Sequence, residues 1–529
     1  MNKTVKVSLW VLVLFFTLVT LATVAIVTLD PNDHKEWIAE QFRQRTGRNL
    51  YLEGNIDLTL YPWFGLEMRQ ISIGNRTGFD ETPMFRAEVV HFRVKLLPML
   101  RQHYEIDTVE LSGVELNLTI NEDGVANWAD LVSSSDQDPA AINDGSSTLQ
   151  MSNFVLGGVD VENASLRFEN RTNGARYEIT NLNFNTDELV YGAPIDLTLS
   201  MEAAATTPPL NALVNLNGTV NYDLDNGLYQ LSPLSLQANL TGNNLPDGAA
   251  EITLTASFSL NLEDDTLVVS DLDLNMLGTR LLATINGSNL TTDAPVYQSD
   301  LVLTGSDLAV LFKVAEIEPL ATQLGRLDER GFELTASVNL NLSQNNIEVT
   351  QLSANLLGAE LEGEFEAVNF QSQQPVVRGL LKASGPDLPL VVEVLGQISG
   401  GQDSQLSAIS RVLGQVSDKT FSVDAEFDAD LQTGNVNVST LDAQLLGASI
   451  NGNLAASNVQ SDSLLLNGNL NTEGPDLPLI LQIAGLVLGG SESALYQYGE
   501  KLSVVGNKSF VAIRNFMPIS GRAISRFLN

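Results

Sequence analysis

The sequence predicts a mostly β protein: an N-terminal transmembrane helix followed by a long, curled antiparallel sheet of repeated β units with short helices. Three observations carry that reading. Apolar and polar residues alternate with period two over many short runs. The clearest is Val423, Ala425, Phe427, Ala429 and Leu431, with Asp424, Glu426, Asp428 and Asp430 between them, a strand with one apolar and one anionic face. A glycine-punctuated block is written three times. Leu277-Gly278, Leu357-Gly358 and Leu446-Gly447 each stand 27 residues ahead of Gly305, Gly385 and Gly474, so the block recurs at steps of 80 and then 89 residues. Finally, Val7 to Leu29 is 23 residues without a charge, enough to cross a hydrocarbon core of about 30 Å at about 1.5 Å per residue.

Taken in order, residues 1–6 carry Lys3 and Lys6 ahead of the apolar run, and Asp30 and Asp33 follow it. That asymmetry orients residues 7–29 as an anchor with a cytoplasmic N-terminus and the body on the other side. The apolar region of a cleaved signal peptide is shorter than this run. Residues 34–46 read as an amphipathic helix at the membrane surface, with Trp37, Ile38 and Phe42 on one side. Strands are expected near 50–60, 66–74 and 85–96, within a membrane-proximal domain of residues 30–132. Residues 133–148 are Ser, Asp, Gly and Ala with one Pro and read as a linker or exposed loop. A β segment covers 149–250, with hairpin turns at Asn170 to Gly174 and Asp223 to Gly227. Residues 251–500 hold the three repeats, each expected to be several strands followed by one short helix. Asp307, Asp387 and Asp476 are placed as N-caps, and Pro389 and Pro478 fall in the first turn, where proline is tolerated. A basic segment, 501–529, closes the chain.

Five phrases in the first 131 residues have a familiar look. Thr46-Gly47-Arg48-Asn49-Leu50 comes first, then Leu58 to Leu66 (LTLYPWFGL), and Ile73-Gly74-Asn75 with Gly78-Phe79. Leu96 to Leu100 (LLPML) and Asn121 to Leu131 (NEDGVANWADL) complete the set. In this order they resemble the N-terminal region of the AsmA family. The resemblance implies an inner-membrane-anchored, single-pass periplasmic protein of Gram-negative bacteria, related to the bridge-like lipid-transfer proteins, whose sheets curl into an open groove with an apolar floor. It also implies a link to outer-membrane assembly and phospholipid homeostasis. The glycine-rich final strands of larger members are missing from the C-terminal part.

The charge balance is lopsided, with 64 acidic against 28 basic residues and a formal net charge of −36. Residues 102 to 500 hold 54 acids and 11 bases, whereas 501 to 529 hold five bases and no acid. An acidic body is a poor partner for nucleic acid. There is no cysteine, so disulfides, thiolate metal sites and a cysteine nucleophile are excluded. The three histidines, His34, His91 and His103, sit in the first fifth of the chain, and no nucleophile elbow or zinc-helix motif occurs. Asp223, Asp225 and Asn226 form only part of a calcium loop, and turns favour the same residues. The expectation is therefore a non-enzymatic protein with no cofactor and no metal.

The apolar strand faces admit two readings, a dry core closed by a second layer or an open groove, and the family resemblance favours the groove. Its candidate floor is Phe258, Leu260, Leu262, Leu340, Leu342, Val423, Ala425, Phe427, Ala429 and Leu431. The expected partners are phospholipids and, through the N-terminal helix, the inner membrane. Lys501, Lys508, Arg514, Arg522 and Arg526, interspersed with apolar residues, are candidates for docking on the outer membrane or another envelope protein, against the alternative that this segment folds back as a cap. The expected function is lipid binding and transfer in support of outer-membrane biogenesis. The rival is a periplasmic scaffold for outer-membrane protein assembly.

Overall fold

The computed structural model describes residues 30–520 apart from 60–62, 96–97, 99–103, 130–153, 315–316, 329, 373–374, 401–403, 431, 458–464, 492, 505 and 507. The candidate anchor residues Lys3, Lys6, Val7 and Leu29 lie outside the described residues. Among those described, no helix is long and apolar enough to cross a membrane. The chain divides into two compact units, one of Met1–Asp223 with Leu231–Asn244 and one of Leu224–Gln230 with Leu245–Asn529.

In the first unit helix α1 (Lys35–Thr46) ends on Gly47, whose φ of 71° is the left-handed cap that glycine adopts freely. Strands β1 (Leu50–Leu52) and β2 (Ile56–Thr59) both pair with β3 (Trp63–Ile73), which pairs with β4 (Phe85–Lys95), and β5 (Tyr104–Ile106), β6 (Val109–Ser112) and β7 (Glu115–Ile120) are set against β4. Then come β8 (Phe154–Leu156), β9 (Val159–Asn170), β10 (Ala175–Thr186), β11 (Leu189–Val190), β12 (Ile195–Thr206), β13 (Pro209–Asp223) and β14 (Leu228–Gly242). The expectation of an antiparallel sheet needs one correction here. β5 pairs with β8, and β6 and β7 pair with β9, in parallel.

Three of the five phrases that carry the family resemblance meet in one polar clasp, through Arg48, Asn75 and Asn127. Arg48 is 3% exposed and donates to the Asn127 carbonyl at 2.5 Å. The fully buried Asn127 side chain accepts from the Thr119 amide and donates to the Asn117 carbonyl and to Asn75 Oδ1. Buried polar groups are kept when every partner is supplied. Trp63 carries the Lys95 ammonium 5.0 Å from its ring. Trp37, by contrast, is 66% exposed on α1, which buries no residue in the described surroundings.

The second unit is the repeat array. Its first repeat is β15 (Ala249–Asn261), β16 (Thr266–Met276), β17 (Thr279–Ser288) and β18 (Val296–Gly305), followed by α2 (Leu308–Val314) and α3 (Glu318–Leu324). The second is β19 (Phe332–Asn341), β20 (Asn346–Leu356), β21 (Ala359–Val368) and β22 (Val376–Gly385) with α4 (Leu388–Gly400) and α5 (Gln405–Leu413). The third is β23 (Phe421–Asp430), β24 (Asn435–Leu445), β25 (Ala448–Ser457) and β26 (Leu465–Gly474) with α6 (Leu477–Gly489) and α7 (Ala494–Leu502). β27 (Phe510–Ser520) pairs with β26. Each repeat is thus four antiparallel strands and a helical pair, where the sequence reading expected one helix. The second helices are short. Ser404 and Ser493 cap α5 and α7 by accepting from the Ser407 and Tyr496 amides.

The landmark glycines have two separate jobs. Leu277-Gly278, Leu357-Gly358 and Leu446-Gly447 are two-residue hairpin turns with both φ angles positive, 54° and 73° in the first. This is the turn type that matches strand twist. A leucine there is strained, and it is held by packing, since Leu357 and Leu446 are 7% and 3% exposed beneath helices. The second glycine lies directly across from the phenylalanine that opens the next strand, in the pairs Gly305–Phe332, Gly385–Phe421 and Gly474–Phe510. A Cβ on Gly385 would stand 2.7 Å from the Phe421 ring, so the ring occupies the space the missing side chain leaves. Sheet bending falls instead to β-bulges at the same place in every repeat, between Val269 and Leu272, Val349 and Leu352, and Val438 and Leu441.

Candidate functional site

The predicted N-caps Asp307, Asp387 and Asp476 each accept from a first-turn amide, those of Ala309, Leu390 and Leu479. Each also pairs with a basic residue two positions ahead of the next opening phenylalanine. The pairs are Arg330–Asp307 at 2.6 Å, Lys419–Asp387 at 3.6 Å and Lys508–Asp476 at 3.7 Å. In the same three places the amides of Leu308, Leu388 and Leu477 donate to the carbonyls of Arg330, Lys419 and Lys508. Every helical pair is therefore laced shut at its base. The basic-x-Phe signal, Arg330 to Phe332, Lys419 to Phe421 and Lys508 to Phe510, runs in phase with the glycines and is absent from the sequence reading above.

Following the strand registers sideways assembles the apolar face into rungs that cross the unit. One runs Leu254, Leu274, Leu281, Leu303, Leu334, Ala354, Leu361, Ala383, Val423, Ala443 and Ile450. Another runs Phe258, Val269, Ile285, Ser299, Val338, Val349, Phe365, Gly379, Phe427, Val438 and Leu454 through the same pairings. A third links Leu260, Leu267, Gly287, Tyr297, Leu340, Ile347, Ala367, Val377, Ala429 and Val436. The helical pairs bury only the end of this face nearest the Leu-Gly turns, where Phe332 and Phe421 are 9% and 7% exposed. Beyond that end, valine and smaller residues such as Val269, Val349, Ala336 and Ala443 are buried, but every leucine, isoleucine and phenylalanine on the three rungs keeps partial exposure.

The candidate floor residues are thereby placed. Phe258, Leu260, Leu340, Val423, Ala425, Phe427 and Ala429 share the apolar face. Leu262 and Leu342 do not. They follow the last residues of β15 and β19, and Leu262 is 51% exposed with its amide on the Gly227 carbonyl. The alternation that selected them runs on past the strand into the turn. Leu431 lies outside the described residues, as do Arg522 and Arg526. Of the C-terminal cations, Lys501 lies in the last turn of α7 with its ammonium 5.6 Å from the Tyr498 ring, Lys508 laces the third helical pair, and Arg514 sits opposite Leu470 in the β26–β27 register.

The other face of the unit is polar and acidic. A cavity of about 530 Å³ is lined by Glu348, Glu364, Glu366, Glu426 and Asp428 with Arg378, whose guanidinium pairs with Glu366 at 2.8 Å, and also by Val349, Phe365, Leu380 and Phe427. Asp273 is held below the usual carboxylate range by the Arg280 guanidinium hydrogen-bonded to it. Among the described residues no group of three His, Cys, Asp or Glu side chains is placed to hold a metal ion.

Residues 1–468 match the model of the AsmA family, well beyond the first 131 residues in which the phrases lie. Protein AsmA of Escherichia coli (strain K12) is 25% identical over 114 residues, which is 22% of this chain and 18% of that relative's length. No solved structure matches. With its family match spanning the uncharged N-terminal run, the clasp and nearly all three repeats, the chain belongs to the AsmA family.

Proposed function

We propose that this protein is a non-enzymatic, membrane-anchored lipid-binding protein of the cell envelope, which shields phospholipid acyl chains along the apolar rungs of its sheets and so supports lipid supply to the outer membrane. One observation carries the reading. The rungs form a continuous apolar face on which no leucine, isoleucine or phenylalanine is buried beyond the helix-covered end. A closed sandwich core would bury such side chains. Leaving them partly exposed is costly unless an apolar partner covers them. Each buried CH₂ is worth about 0.8 kcal/mol, so a 16-carbon chain on this face is spared on the order of 13 kcal/mol of exposure to water. The mixed Leu, Val, Ala and Phe surface suits a fluid chain of variable length. Lipid movement breaks no covalent bond, so the reading needs no catalytic residue.

The test is lipid carried by the purified protein. Mass spectrometry of an organic extract should find phospholipid, and a photo-crosslinking residue at position 427 should capture it. Phe427→Asp should lower bound lipid while Asp428→Asn, on the polar face, leaves it unchanged. Should Phe427→Asp unfold the protein before any lipid is lost, the face is a closed core. Stoichiometric capture of an envelope protein with no lipid at position 427 would replace this reading with the scaffold.

A further inference from the structure

The first and second helical pairs are each completed by the repeat that follows. The first pair buries Leu320 and Leu324 in one cluster with Leu356, Leu357 and Leu390 of the second repeat. In the next pair α5 buries Ile409, Val412 and Leu413 against Leu446 and Leu479 of the third. Subtracting the repeat step of 80 residues from Leu356, Leu357 and Leu390 gives Met276, Leu277 and Val310 in the first repeat. No helical pair precedes that repeat. The single 3-10 turn Pro246–Gly248 stands in its place, and Met276, Leu277 and Val310 instead line a cavity of about 760 Å³ together with Asp247, Ala250 and Glu251. Two equivalent slots in the same unit are plugged by a short aliphatic helix, and among the described residues no helix fills the first.

The chain holds a further copy of the plug. In α5 the residues Ala408-Ile409-Ser410-Arg411-Val412-Leu413 fill the third repeat's slot, and residues 523–528 read Ala523-Ile524-Ser525-Arg526-Phe527-Leu528, identical at five of six positions. The substitution keeps an apolar residue where Val412 is buried. Arg411 is exposed at the rim of its slot, and Arg526 takes its position in the copy. The lining of this slot includes Asp247 and Glu251, and its one basic residue, Arg280, is paired with Asp273.

We propose that the first-repeat slot at Leu277 is a docking site for the segment Ala523–Leu528 of a second copy of this chain, bound as a short helix that inserts Ile524, Phe527 and Leu528. A second copy follows from reach. Ten strand spacings separate β17 from β27, about 48 Å along the sheet, whereas only Gly521 and Arg522 stand between Ser520 and the hexapeptide, a span of about 10 Å. The contact joins different patches on the two molecules, so it is a head-to-tail association, and helix-in-groove burial of three large apolar residues is its energetic basis.

The experiment uses full-length protein with a photo-crosslinking phenylalanine analogue at position 527, mixed with an equal amount of ¹⁵N-labelled protein of native sequence. Irradiation should join position 527 to peptides containing Met276, Leu277 or Val310, and the slot peptide should carry the heavy label. A free peptide of residues 521–529 should reduce the cross-link at least tenfold, and the same peptide with Phe527→Asp should not. Cross-links to the light chain alone, to peptides elsewhere, or indifferent to the competing peptide would overturn the proposal.

Discussion

Truncating the turn leucine of each repeat to alanine separates the filled slots from the vacant one. Leu446 is 3% exposed and belongs to a cluster with Ile409, Val412, Leu413, Leu479 and Leu486, and Leu357 is 7% exposed in the equivalent cluster. Removing a leucine from such a site costs its transfer energy plus a cavity, about 3 kcal/mol within a range of roughly 2 to 5. The left-handed backbone gives nothing back, because alanine carries the same Cβ penalty. Leu277 has the same turn conformation with no helical pair above it, so Leu277→Ala should cost about 1 kcal/mol or less. The readout is hydrogen exchange in the full-length protein, since two units make a single melting curve ambiguous. Leu446→Ala should speed exchange of the α5 and α6 amides by roughly a hundredfold, at about 1.4 kcal/mol per tenfold. Leu277→Ala should leave the helices unchanged. An equal effect at both positions would refute the assignment of the first slot as vacant, and no effect at Leu446 would refute the packing argument itself.

Other tests reach the remaining parts of the structure. Gly385→Val places branched carbon 2.7 Å from the Phe421 ring and 2.9 Å from Ala359 Cβ, so the melting temperature should fall by several degrees for about 2 kcal/mol of overpacking, with partial recovery when Phe421→Leu is added. The Asp273 carboxyl is lowered from 3.8 by the Arg280 hydrogen bond, so its contribution is present above that pH and lost as pH falls through the lower folded value. Exchange at the β16–β17 hairpin should therefore accelerate below about pH 4 in the native protein, and Arg280→Gln should remove that acid sensitivity. For the anchor, protease added outside spheroplasts should digest nearly the whole chain and leave a small membrane-bound stub, and protection of the body would reverse the proposed topology.

Most of the architecture could be read from residue order because it rests on local chemistry. Alternation marked the strands, Asn and Gly marked their turns, and Asp307, Asp387 and Asp476 marked the helix starts. The helical pairs were half legible. α4 and α6 are apolar runs behind an aspartate and a proline, whereas α5 and α7 are short and depend on Ser404 and Ser493 as caps. A lone serine is too common to single out without the helix it serves. The opening phenylalanines were hidden for a different reason. Phe332 lies 27 residues beyond Gly305 but Phe421 lies 36 beyond Gly385, because the inserted helices differ in length. Only the strand register shows that each ring lies over the glycine before it.

The apolar face itself was legible strand by strand but not as a surface, and the bulges explain why. In β23 the inward residues are the odd-numbered Val423, Ala425, Phe427 and Ala429, and across β24 they pair with Ala443, Leu441, Val438 and Val436. The inward set thus changes from even to odd numbering between Val438 and Leu441, where the register slips. Strict alternation through β24 would have sent Leu441 and Ala443 to the acidic side, since a one-residue shift exchanges the faces. The same change falls between Val349 and Leu352 and between Val269 and Leu272. A single extra residue in each repeat therefore does two things at once. It bends the strand, and it lets a sequence whose alternation breaks in the middle keep one apolar face unbroken from β15 to β25. Loss of that residue, for example deletion of Thr440, should put either Val436 and Val438 or Leu441 and Ala443 on the polar face. Such a variant should lose bound lipid at position 427 even if its strands still form, which ties the continuity of the rungs, beyond their composition, to the proposed function.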